Sequence, residues 1–171
     1  MNGRIAVMGI VLTGIIAGIA MYYLQVFAFY DETLVEDVEI ELTSVVSGES
    51  EVILFDDLQA IDGTSSPIRF RACFTTPMSA ALLSETYTLY DAAEPLVAPG
   101  WFDCFDAAEI GAALEEGQAL SFMGVENVTY GVDRVVAILP DGRGFAWHQI
   151  NRCGEVVFDG NPVPEGCPEP E

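Results

Sequence analysis

"VDRVVAILPDGRGFAWHQIN" (Val132–Asn151) sets two apolar runs around "PDGRG". Runs of this kind, broken by Pro, Asp and Gly, read as antiparallel strands joined by a turn of about four or five residues. The stretch therefore points to an antiparallel sheet, and the flanking sequence is read outward from it. "QALSFMGVENVTYG" (Gln118–Gly131) adds a strand or a pair of strands. "DCFDAAEIGAALEEG" (Asp103–Gly117) predicts a helix capped by Asp106 and closed by Gly117, with Ala107, Ile110, Ala113 and Leu114 on one face. "YTLYDAAEPLVAPGW" (Tyr87–Trp101) is irregular, interrupted by Pro95 and Pro99. "TPMSAALLSE" (Thr76–Glu85) predicts a short helix to about Thr86, with Thr76 as N-cap and Pro77 in the first turn.

Further toward the N-terminus, "IRFRACFTT" (Ile68–Thr76) alternates as a strand with Arg69 and Arg71 on one face. "EVILFDDLQAID" (Glu51–Asp62) reads as another strand, ended by "GTSSP". "LVEDVEIELTSVV" (Leu34–Val46) alternates through Val35, Val38, Ile40 and Leu42 and reads as the first strand. On the C-terminal side, "CGEVVFDGNPVPEGCPEPE" (Cys153–Glu171) predicts a short strand and then a proline-rich acidic tail. With no internal repeat and no long linker, the expectation is one α+β domain over 31–160. It has an antiparallel sheet and two short helices, and the tail occupies 161–171.

Ahead of the domain, Ile5–Tyr30 carries no charge. A helix of this length spans ~39 Å against a hydrocarbon core of ~30 Å, so it is long enough to cross a bilayer with some tilt. Tyr22, Tyr23, Phe27, Phe29 and Tyr30 gather at its far end, as an interfacial aromatic belt does. Arg4 lies before it, and every acidic residue lies after it. The charge bias predicts residues 1–4 in the cytoplasm, a transmembrane span over 5–30 and the domain outside. Gly18-Ile19-Ala20 offers small residues to a signal peptidase. However, the apolar run continues past Ala20, beyond the usual ~7–15 residues of a cleavable core, so an uncleaved signal anchor is the expectation. Gly14 and Gly18 form a G-x-x-x-G pair through which a second helix can approach. Glycine is also simply common in membrane helices.

Four cysteines, Cys73, Cys104, Cys153 and Cys167, follow the span. An even count on the oxidising side of a membrane reads as two disulfides. Of the three pairings, Cys73–Cys104 with Cys153–Cys167 closes modest local loops and is preferred. No C-x-x-C or C-x-x-C-H occurs, which argues against thioredoxin-like redox chemistry and covalent haem.

The chain has 27 acidic residues, six basic ones and a formal charge of −21, and all the basic residues are arginine. Such a field repels nucleic-acid phosphates and anionic lipid headgroups, and attracts basic proteins or divalent cations. Nucleic acid is excluded as a partner; solubility alone also accounts for the charge. The absence of lysine rules out P-loop, Schiff-base and pyridoxal chemistry. No catalytic, cofactor-binding or metal motif appears, and no cofactor is expected. His148 is the only histidine, so any histidine-dependent hydrolase must use it. Its ordinary reading is a partly buried residue bonded to backbone. Arg69 and Arg71 could clamp a carboxylate ligand, although salt bridges to adjacent strands are the plainer reading. Trp101 and Phe102, in "PGWFDCF" (Pro99–Phe105), form an aromatic loop that suits a partner contact and equally suits a cover over the core.

Taken together, "SSPIRFRACFTTP", "APGWFDCFDA", "DGRGFAWHQINRCGEVVFDG" and "AMYYLQVFAFY" give the chain a resemblance. It resembles a family of small alphaproteobacterial membrane-anchored proteins with a domain of unknown function. The resemblance covers nearly the whole chain. It implies a Gram-negative host and a periplasmic domain, and it assigns no catalytic residue. The functional expectation is a non-enzymatic, inner-membrane interaction protein, an accessory or assembly subunit of a membrane complex. A periplasmic ligand- or metal-binding module is the first alternative. A hydrolase or redox enzyme built on His148 is the second.

Overall fold

The computed structural model describes residues 3–28, 30–32, 38–63 and 65–170, with residues 31 and 32 described by backbone alone. Helix α1 (Gly3–Val26) leads into β1 (Asp31–Glu32), β2 (Glu41–Thr43), β3 (Ser50–Val52), β4 (Asp56–Asp62) and β5 (Arg71–Thr75). Two helices follow, α2 (Ala80–Thr86) and α3 (Ala107–Glu115). The chain continues through β6 (Leu120–Thr129), β7 (Val132–Ile138), β8 (Arg143–Ile150) and α4 (Arg152–Phe158). The main sheet runs β1-β4-β5-β8-β7-β6, every pair antiparallel, and β2-β3 form a separate two-stranded sheet. Two-residue β1 is only an edge, so five strands make the body of the sheet. The architecture is α+β.

The β7–β8 hairpin lies inside the sheet, in register from Val132 opposite Ile150 to Ile138 opposite Gly144. Its turn closes through Leu139 N–H to Arg143 O (2.9 Å) and Gly142 N–H to Leu139 O (3.0 Å). Gly142 takes φ +89°, which glycine adopts without the steric cost of a side chain. Both faces of these strands are covered, which is why their sequence reads as near-continuous apolar runs rather than as clean alternation. On one face, Ala72, Phe74, Val136, Ile138 and Ala146 pack beneath β2, α2 and the neighbouring residues Val38, Ile40 and Ile53. On the other, Cys73, Val135, Ala137, Phe145 and Trp147 pack beneath α3 and the segment leading to it. Fully burying Trp147 or a core Val or Phe contributes roughly 1.5–3 kcal/mol each.

Several elements differ from the sequence expectation. Glu51–Asp62 is two strands in two sheets, and Asp57 at φ +54° breaks the register between Asp56 and Gln59. Leu34 and Val35 lie outside the described residues, and the first strand is confined to Glu41–Thr43. Helix α2 starts later than expected. Ser79, not Thr76, is its N-cap and accepts from Leu82 N–H, while the Thr76 hydroxyl donates to Leu54 O (2.8 Å). Asp106 caps α3, accepting from Ala108 and Glu109 N–H, and Gly117 follows its end at φ +69°. Residues 152–158 form a third short helix where a strand was expected. Asn151 decides this, because its side-chain oxygen accepts from Cys153 and Gly154 N–H and so satisfies donors at a helix start.

Helix α4 sits against the β6–β7 turn, and a Cβ added to Gly154 would fall on the carbonyl of Gly131. Both neighbours are backbone, so neither can turn aside. Gly154→Ala is expected to lower stability by ~1–3 kcal/mol through overpacking, read as a drop in thermal midpoint. Disulfide Cys153–Cys167 ties α4 to the proline-rich tail.

Candidate functional site

Helix α1 is exposed from Gly3 to Gln25 and is long and apolar enough to cross a membrane. The segment from Tyr90 to Cys104 crosses one face of the main sheet without regular structure, and its anchoring is therefore of interest. Side chains hold it at successive points. Tyr90 Oη donates to Asp133 Oδ2 (3.3 Å), where burial and that carboxylate push the phenol up to about 12. Gln149 acts like a strand peptide, donating to Ala92 O and accepting from Glu94 N–H, each at 2.7 Å. Arg71 holds residues 96 and 97. The Cys73–Cys104 disulfide ties the far end to β5.

Arg71 is only 3% exposed. Its Nε donates to Leu96 O (2.8 Å) and a terminal nitrogen to Val97 O (3.4 Å). The other terminal nitrogen donates to Ile68 O (2.8 Å) and Phe70 O (2.6 Å). Burial pulls its pKa down to about 10, against the opposing fields of Tyr30 and Asp62. The guanidinium stays charged at neutral pH, its donors taken by carbonyls of two loops. Among the described residues Arg71 makes no salt bridge to an adjacent strand; its bonds go to carbonyls instead. Arg69 lies outside β5 and does not share a strand face with Arg71. It is placed over the Tyr30 ring at 5.0 Å.

The loop meets α1 at Trp101. The last carbonyls of a helix have no partner within it. Trp101 Nε1 donates to one of them, Val26 O, at 2.8 Å. The indole stacks on Phe27 (6.4 Å) and meets Tyr30 edge-on (6.2 Å). Two residues beyond Tyr30, the backbone is already paired with β4, Glu32 opposite Ile61. The end of α1 is thus held by a hydrogen bond, by ring contacts and by a strand pairing. Phe102, weighed as a partner contact or as a cover over the core, is buried in the second core beside Phe105. Gly14 and Gly18 have no atom within 4 Å of an added Cβ and make no packing contact within the described chain.

His148 belongs to a different cluster. It is 7% exposed and stacks on Phe70 at 4.7 Å. Its Nδ1 bonds Pro67 O (2.7 Å), and its Nε2 accepts from Arg134 Nε (3.1 Å), which fixes the neutral Nδ1–H form. The Arg134 guanidinium also lies over the Phe70 ring, at 4.4 Å, and is desolvated. Burial, with Arg134 and Arg71 adding repulsion, lowers the His148 pKa to about 4. The unfolded chain therefore takes up this proton near pH 6.5 and the folded chain only near pH 4. Stability from His148 is complete above pH 6.5 and is lost as the pH falls through that window, by about 3 kcal/mol. In thermal unfolding across this range, His148→Gln is expected to remove that component of the pH slope.

Both ring nitrogens of His148 are thus occupied and the four cysteines are in disulfides, so neither the imidazole nor a thiol is open to a substrate. Among the described residues, no three His, Cys, Asp or Glu side chains converge to hold a metal. Beside His148 and Arg134 opens a cleft of about 520 Å³, bounded further by Asp62, Ser66 and Thr129. The sequence reading singled out His148 but missed Arg134 and Gln149, polar residues inside two apolar strands. Their placement within a hairpin expected to be buried was the available signal.

No curated protein and no solved structure matches the chain. Residues 40–168, which include the clamped loop, the His148 cluster and both disulfides, match the model of DUF6446, a family of unknown function, and the chain belongs to that family.

Proposed function

We propose that the chain is a single-pass inner-membrane protein whose N-terminus is cytoplasmic and whose disulfide-bonded domain is periplasmic. It acts there as an accessory or assembly subunit of a membrane complex. The observation that carries this reading is the bond from Trp101 to Val26 at the end of α1. A domain on a free tether can face any direction, whereas one clamped to its anchor presents a fixed surface to neighbours in the same membrane. Disulfides support an oxidising compartment. Arg4 before α1 and the acids after it support the orientation. The Gly14/Gly18 face and the acidic domain surface are the contacts available to a partner helix and to a basic partner domain.

A gentle-detergent pull-down from native membranes with a C-terminal tag tests this. A membrane partner at fixed stoichiometry is expected, and Trp101→Phe, which deletes a hydrogen bond worth ~1 kcal/mol and leaves a smaller aromatic ring in place of the indole, is expected to reduce its recovery. A clean monomer, or recovery unchanged in Trp101→Phe, contradicts the role assigned to the clamp.

One observation favours a second reading, a ligand-binding module. Arg134 lines the cleft and has no carboxylate partner among the described residues, although the chain carries 27 acids. A small carboxylate would pair with it. The ligand site then lies at Arg134 and His148 and not at Arg69 and Arg71. A carboxylate-dependent rise in melting temperature that Arg134→Gln abolishes is the expected sign.

A further inference from the structure

We infer that the loop from Pro95 to Phe102 is a second membrane contact, whose tip enters the lipid of the leaflet that receives the end of α1. The inference rests on reading α1 as a span. "PLVAPGWF" (Pro95–Phe102) is uncharged in a domain that carries all 27 acids, and Glu94 and Asp103 bound it on both sides. Val97 is 80% exposed, although its neighbour Ala98 packs against the core. Its carbonyl is held from behind by Arg71, so the side chain is turned outward on a braced loop.

What covers Val97 follows from continuity with α1. The helix, 24 residues long, is ~36 Å against a hydrocarbon thickness of ~30 Å, which leaves its last turn at the interface. Trp101 is bonded to that turn, and tryptophan is the side chain enriched at this depth. Val97 is four residues away on the same loop. The bounding acids disfavour an anionic surface, so the lipid it meets is zwitterionic or neutral.

The test uses the full chain in phosphatidylcholine nanodiscs, with a new indole introduced by Val97→Trp. A control indole comes from Pro140→Trp, in the exposed β7–β8 turn at the other end of the strands from Arg71. Emission added over the wild type is compared with brominated lipids and with aqueous iodide as quenchers. The expected result is that the Val97→Trp emission is quenched by bromolipid, more by shallow bromines than by deep ones, and is shielded from iodide. The Pro140→Trp emission shows the reverse. Quenching of Val97→Trp by iodide and not by bromolipid overturns the inference, and so does bromolipid quenching of Pro140→Trp to the same degree. Carbonate extraction separates the two levels. A chain retained in the membrane with an iodide-accessible Val97→Trp refutes the loop contact alone, whereas a chain released by carbonate refutes the span and the loop contact together.

Discussion

Arg71→Met is expected to lower the unfolding free energy by about 3–5 kcal/mol, since hydrogen bonds from a charged group contribute ~1.5–3 kcal/mol each and do not add fully. Methionine fills a similar volume, so the loss reports hydrogen bonding more than a cavity. Four carbonyl oxygens, of Ile68, Phe70, Leu96 and Val97, lose their donors. Arg71→Lys keeps the charge but replaces a planar fork with a shorter point donor, and is expected to recover only a minor part. Thermal unfolding of the full chain in detergent measures the stability. Limited proteolysis supplies a second signature: cleavage between residues 92 and 104 should rise in both variants before global unfolding. Loss of stability without faster cleavage there would mean that Arg71 braces the core and not the loop.

The second large effect belongs to the Cys73–Cys104 disulfide. It spans 31 residues, and the chain-entropy argument assigns such a loop about 3–4 kcal/mol. The double variant Cys73→Ser, Cys104→Ser is expected to lose about that much, whereas removing Cys153–Cys167, which spans 14 residues, costs about 3 kcal/mol at most. The two pairs also differ in consequence. Cys73 sits on β5 in the middle of the main sheet and Cys104 ends the loop that is bonded to α1, so opening this pair should loosen Trp101 from α1. Opening the other frees only the tail from α4. Combined with Arg71→Met, the Cys73/Cys104 variant should cost less than the sum, because both hold one segment. Full additivity in that double-mutant cycle would contradict a shared role.

Much of the fold was legible because it is written in local chemistry. "PDGRG" marks the central turn, Asp106 marks the start of α3, and the uncharged run marks α1. The errors share a physical cause. Residues 152–158 have the apolar content of a strand, and only the Asn151 cap, with glycine against glycine at 131 and 154, makes them a helix. Thr76-Pro77 looks like a helix start, but the Thr76 hydroxyl is used across the fold by Leu54, and the start passes to Ser79. The site was legible as a list of residues and not as an arrangement. Arg69, Arg71, Trp101, Phe102, Cys73 and Cys104 all stood out, and the structure gathers them around one loop and the end of α1. Their partners are mainly carbonyl oxygens and rings far away in sequence. Carbonyls carry no residue identity, so a pattern of side chains could not show that Arg71 is a brace or that Trp101 caps a helix. His148 stood out for its rarity, and it is the register of β7 with β8, Arg134 opposite His148, that gives it a partner.

The central claim is that the domain is clamped to its anchor, and nuclear magnetic resonance on the full chain in lipid nanodiscs tests it most directly. The chain has only two tryptophans, so only two indole N–H signals need assignment. The account predicts that the Trp101 indole proton exchanges slowly with solvent and shows nuclear Overhauser contacts to the Phe27 and Tyr30 rings, with α1 and the domain tumbling as one body. A Trp101 indole that exchanges freely, without contact to either ring and with independent tumbling of the domain, would contradict it.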